Sequence, residues 1–136
     1  MPVDKALILA MIAAARDQRK NAYAPYSSFR VGAAVLGGSG KVYLGSNVEN
    51  ASYGLTICAE RVAIFKAISE GETEIQAVVV CAGEGKPAPP CGACLQVMAE
   101  FAPKKEPMTV VTCSVDGTYT QATLADYLPA PFRLDS

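Results

Sequence analysis

The chain has 136 residues, 51% hydrophobic and 18% charged, enough for one domain with a buried core and too apolar for a disordered or low-complexity chain. Its net charge of -1 comes without any basic block, which excludes a nucleic-acid backbone as main partner but not an unphosphorylated nucleoside. It has no histidine, so catalytic triads, Cys-His dyads, His-ligated zinc and a histidine base are excluded, leaving proton transfer to a carboxylate, a thiol, a lysine or metal-held water.

Residues 4–22 read as an amphipathic helix closed before Pro25. Its apolar run, 6–15, is well short of the roughly 20 residues that span a bilayer and lacks a cleavage site. We therefore expect no membrane partner and a cytoplasmic location, where cysteines are thiols or metal ligands rather than disulfides. Residues 29–36 and 42–48 alternate as two strands of a hairpin around the glycine-rich turn "GGSGK". A polar loop, "ENASYGLT", follows. From Cys58 a second helix is apolar nearly all round and stops at Gly71, which predicts deep burial. The acids of "SEGETE" read as a solvated loop. "IQAVVVCAG" predicts a strand buried on both faces. A third helix opens at "CGACLQVMAEFA", just after two prolines. "MTVVTCS" and "YTQAT" predict strands joined by the turn "VDGT", and "LADYLP" begins a short last helix. This order predicts an α/β fold: a three-layer α/β/α sandwich around a mixed five-stranded sheet, as one domain over 1–136.

The chemistry concentrates in two segments. Cys91 and Cys94, three apart at a helix start, place both thiols on one face of its first turn. Alone, this spacing suits a zinc site or a redox dithiol. Cys58 opens another helix, where free N–H groups favour a thiolate. Three thiolates from two helix starts can converge on one ion and leave the fourth position open, as catalytic zinc requires. Glu60 faces away from Cys58 along the helix, yet at the first turn it can reach a molecule beyond the helix end and move protons there. Cys81 and Cys113 lie in apolar strands and read as core.

"CAER" followed by "PCGAC" resembles the signature of zinc deaminases. "APYSSFRVGAAV" and "GSNVENASYG" narrow the likeness to the small, homotetrameric cytidine deaminases that use three cysteines, over about 24–132. The resemblance implies zinc held by Cys58, Cys91 and Cys94, and hydrolysis of cytidine, with deoxycytidine accepted, to uridine and ammonia in pyrimidine salvage. It implies that zinc-bound hydroxide attacks C4 while Glu60 shuttles protons to N3 and to the departing amine. Asn47 and Glu49 would hold the ribose hydroxyls, Phe29 would pack on the pyrimidine, and the Ala59 backbone would lie beside the base. Ala51, Tyr53 and Phe132 match positions that neighbouring subunits of a homotetramer contribute. Arg61 matches an arginine that hydrogen-bonds the ligand sulfurs and draws charge from them. The family's further arginine after the last zinc cysteine is here Leu95. Alternatives are a deaminase of another aminopyrimidine nucleoside such as blasticidin S, a structural zinc module with Cys81 as fourth ligand, and a redox dithiol protein.

Overall fold

The computed structural model describes residues 3–134. Helix α1 (Lys5–Gln18) begins at Asp4, whose carboxylate accepts the Ala6 N–H at 2.7 Å. It ends four residues before the expected 22, where the chain tightens into a 3-10 turn over Arg19–Asn21. Strands β1 (Gly32–Gly37) and β2 (Val42–Ser46) form the expected hairpin, then α2 (Ala59–Ser69), β3 (Ile75–Cys81), α3 (Gly92–Phe101), β4 (Thr109–Cys113), β5 (Tyr119–Thr123) and α4 (Leu124–Tyr127) follow. The sheet runs β2-β1-β3-β4-β5, with β3 and β4 parallel and the other neighbours antiparallel.

The central strands are buried along both faces, as their unbroken apolar runs dictate. Alternation sorts their side chains into two cores. Ala34, Leu36, Val79 and Val111 face α1, whereas Ala33, Val35, Val78 and Val110 face α2, α3 and α4. This is the mixed, three-layer arrangement read from the sequence.

Helix α2 sits unusually close to the sheet. A Cβ on Gly45 of β2 would come within 2.5 Å of the Ala63 nitrogen and 2.8 Å of the Ala59 carbonyl oxygen, so only glycine lets the first turns of α2 lie there. Gly71, at φ 108°, turns the chain out of the helix. The burial of α2 is one-sided, contrary to the expectation from its composition. Ala59, Glu60, Ala63, Ile64 and Ala67 are buried, but Phe65 is 46% exposed on the outer side.

The "SEGETE" segment also departs from a solvated loop. Glu72 accepts the Ser39 N–H at 3.1 Å and the Tyr43 hydroxyl at 2.8 Å, tying the β1–β2 turn to the end of α2. That hydrogen bond to a carboxylate pushes the Tyr43 hydroxyl up to about 12.

Strand β1 starts three residues later than expected, and Phe29 lies in the loop before it. Asn47 displaces the ladder here. Its side-chain oxygen accepts the Val31 N–H at 2.9 Å, and its amide donates to the Phe29 carbonyl at 2.8 Å. Val48 leaves β2 to form single bridges with Tyr23 and Ile57. These bridges draw 23–31, 47–49 and the start of α2 together at one end of the sheet.

Candidate metal centre and substrate cavity

Cys58 and Cys91 are the N-caps of α2 and α3, each extended in backbone, and Cys94 lies in the first turn of α3. The two helix starts meet, and the three sulfurs lie within 4.8 Å of one another. Cys58 to Cys91 is 3.9 Å and Cys91 to Cys94 is 3.5 Å. Tetrahedral zinc with bonds of about 2.3 Å separates its sulfurs by about 3.8 Å, so this donor set fits the ion. Glu60 is not among the clustered ligands, as expected from its place on the helix. Cys81 points to the α1 side of the sheet and Cys94 to the other. That placement removes the fourth thiol that a structural zinc module would need.

Arg61 Nη2 donates to the Cys58 sulfur at 3.4 Å, the contact expected for an arginine that draws charge from the cluster. Hydrogen bonding from Cys94, then from Arg61 and Cys91, lowers the Cys58 thiol to about 5. Leu95 is buried in the core on the α2 side, so the arginine position the family often uses is spent here on packing.

A cavity of about 320 Å³ opens beside Cys58 and Cys91. Cys58, Ala59, Glu60 and Cys91 line it, and so do Phe29, Asn47 and Glu49. Glu60 is 5% exposed. Burial, with the Cys58 thiolate adding to it, raises its carboxyl above the ordinary range, so its neutral form is favoured more than that of an exposed glutamate. Glu49 goes the other way. The Ser27 hydroxyl, chiefly, with the Ser27 and Tyr26 N–H groups, keeps it ionised below the usual carboxylate range. No lysine or arginine lines the cavity among the described residues.

Not every expected residue meets here. Tyr53 is among the lining residues but is 88% exposed. Ala51 lines an adjoining hollow with Tyr26, Ser27 and Glu49. Phe132 lies outside the cavity lining, 70% exposed, its carbonyl accepting from Gln96 at 2.9 Å. The sequence reading missed Ser27, Thr56, Ala88 and Pro89 as lining residues. Ser27 stood inside a segment that carried the resemblance, but its partner Glu49 is 22 residues away, and no spacing rule connects them.

Residues 6–110 match the family model described as the cytidine and deoxycytidylate deaminase zinc-binding region. The cytidine deaminase of Halalkalibacterium halodurans is 48% identical over 92% of this chain and 93% of its own length. The crystal structure of cytidine deaminase from Burkholderia pseudomallei superposes with a TM-score of 0.84 at 46% identity, covering 90% of this chain and 97% of that one. That from Mycobacterium tuberculosis gives 0.79 at 35% identity, covering 98% and 100%. Two helix starts that gather three thiols beside a buried carboxyl, carried on this sheet and matched along most of the sequence, place the chain in the zinc-dependent cytidine and deoxycytidylate deaminase family.

Proposed function

We propose that the protein hydrolyses cytidine, and deoxycytidine with it, to uridine or deoxyuridine and ammonia. The carrying observation is the cavity itself: a buried Glu60 beside three clustered thiols that fit zinc, with no cation on the lining, among the described residues, to receive a phosphate. That lining favours a nucleoside over a nucleotide, although the family includes deaminases of both.

Cys58, Cys91 and Cys94 would hold the zinc. When bound, the ion supplies Lewis acidity that makes water a nucleophile at neutral pH. Glu60 would take a proton from the attacking water, place it on N3 of the base, and return a proton to the exocyclic nitrogen as the C4–N bond breaks, the route general to zinc deaminases. The Ala59 backbone would border the base and Phe29 would cover its face. Asn47 and Glu49 would hold the sugar hydroxyls. Asn47 spends its oxygen and one amide N–H on the chain, which leaves it the other N–H for a ligand. Arg61 would offset the negative charge of the thiolates.

The test follows cytidine by ultraviolet absorbance, with a metal assay beside it. Cytidine should be consumed, whereas cytidine monophosphate and free cytosine should be poor substrates. Glu60→Gln should keep zinc while kcat falls by about 10³-fold or more, since a general acid–base group contributes about 10²–10⁴-fold and this one acts more than once per turnover. A Gln variant with near-normal kcat rejects the mechanism.

The reading extends to a homotetramer of single-domain chains acting in the cytoplasm, in pyrimidine salvage. Tyr53, Leu55, Tyr26 and Phe132 expose large apolar side chains, the kind of surface that subunits cover. Ala51, Tyr53 and Phe132 would then complete neighbouring cavities. Sedimentation at working concentration should give four chains; a fully active monomer removes these three residues from the site.

A further inference from the structure

The loop leading into β1 carries an arrangement that zinc chemistry does not explain. The Ser27 hydroxyl touches two groups that line the cavity. It hydrogen-bonds a Glu49 carboxylate oxygen, and it accepts the Phe29 N–H at 3.0 Å. The other Glu49 oxygen accepts the Tyr26 and Ser27 N–H groups at 3.0 and 3.1 Å. A hydroxyl has one proton to give. An ionised carboxylate only accepts, and a backbone N–H only donates. The polarity of the chain of bonds is therefore fixed: Phe29 N–H to Ser27 oxygen, Ser27 O–H to Glu49.

The backbone supports the same arrangement at a cost. Ser28, between the two lining residues, is at φ 61°, the left-handed region that a serine rarely enters. Such a conformation persists where its surroundings over-determine it. Here the surroundings are the Glu49 bonds on one side and the Asn47 amide on the Phe29 carbonyl on the other. Phe29 is thus gripped at both its N–H and its C=O, and one grip passes through Ser27.

We propose that Ser27 is a positioning residue of the substrate site, its hydroxyl joining the Glu49 carboxylate to the Phe29 backbone so that sugar and base are held in one register. The proposal rests on the reading that Glu49 holds the sugar and Phe29 the base. Ser27 acts through those two residues, so its loss weakens ground-state and transition-state binding together, which raises KM more than it lowers kcat.

The test measures kcat and KM for cytidine, with zinc content, for the wild type, Ser27→Ala, Ser27→Thr, Glu49→Ala and the Ser27→Ala/Glu49→Ala double variant. Ser27→Ala should raise KM about tenfold, the scale of one lost hydrogen bond to a charged group, with full zinc and a smaller change in kcat. Ser27→Thr, which keeps a hydroxyl, should restore most of the loss. On the Glu49→Ala background, adding Ser27→Ala should change KM less than twofold, roughly the limit for one independent contact already lost. An unchanged KM in Ser27→Ala overturns the proposal, and so does an equal rise with and without Glu49. If Ser27→Ala does not fold with full zinc, Ser27→Cys, similar in size and a weaker donor, carries the same comparison. Glu49→Ala with an unchanged KM defeats instead the sugar-holding role on which the proposal rests. A raised KM in Glu49→Ala with none in Ser27→Ala defeats this inference alone.

Discussion

The cysteines divide between two surroundings, although nothing in the residue type separates them. Cys58, Cys91 and Cys94 stand at or within the first turns of helices whose ends meet at a cavity. Cys81 and Cys113 are register partners on the parallel strands β3 and β4, and their side chains face α1. Each of that pair spends its thiol on a backbone carbonyl: Cys81 on Ser114 at 3.6 Å, and Cys113 on Val80 at 3.4 Å. The strand pair is closed on itself and fully buried. The helix trio turns its sulfurs toward one another and toward Arg61. A helix start leaves its first N–H groups free and its end charge positive, which stabilises thiolates; a strand interior has no such groups to spare. Position at the end of an element, not the thiol itself, decides which cysteines become ligands.

The largest test of that division is the metal. Replacing Cys58, Cys91 or Cys94 with Ala should remove zinc and with it essentially all activity, and should lower the melting temperature, because metal binding is coupled to the folded state. Metal analysis of each purified variant checks this. Full zinc retention in all three single variants would dissolve the distinction between the trio and the pair.

An intermediate effect should come from Arg61. Protons compete with zinc for thiolates, so zinc is retained at high pH and released as pH falls. The Arg61 guanidinium, donating to the Cys58 sulfur, stabilises that thiolate against protonation and so delays the release toward acid. Arg61→Ala removes a donor from the sulfur at 3.4 Å, so its release midpoint should move to higher pH. A chromophoric chelator followed through an acid titration reads both midpoints. Coincident midpoints would mean that Arg61 does not tune the cluster.

How much of this was legible depended on how local the determinants are. The trio was readable because each ligand sits in a short motif at a predicted helix start, and the sheet was readable because its strands are separate apolar runs. Cys81 and Cys113 were readable as core for the same reason. Phe29 was assigned to a strand, since "FRVGAAVL" alternates from its first residue. The structure starts the strand three residues later because the Asn47 side chain, 16 and 18 residues away, takes the backbone of Val31 and Phe29. Ser27 went unnoticed as a cavity residue for a similar reason, its partner being Glu49. The outer side of α2, with Phe65 exposed, was hidden by composition: an apolar helix does not say which face has a partner. Local patterns named the metal ligands, whereas side chains bonding to distant backbone shaped the cavity beside them.

The smallest effect belongs to the strand pair and sharpens the contrast from its other side. Cys81→Ala deletes one buried sulfur facing α1 and a long hydrogen bond to a carbonyl that also lies in the interior. The loss of about one methylene's worth of burial, plus a small unfilled space, costs about 1–2 kcal/mol. For a chain of this size that lowers Tm by a few degrees, roughly 3–6 °C. Zinc content and the KM for cytidine should stay at wild-type values, because Cys81 and the cluster lie on opposite faces of the sheet. Cys113→Ala should behave alike, and the double variant should cost less than the sum, since register partners share the space that either one vacates. Calorimetry with a metal assay on the same samples separates the two quantities. A loss of zinc in Cys81→Ala would join the two groups of cysteines into one system and return a four-cysteine structural site to consideration.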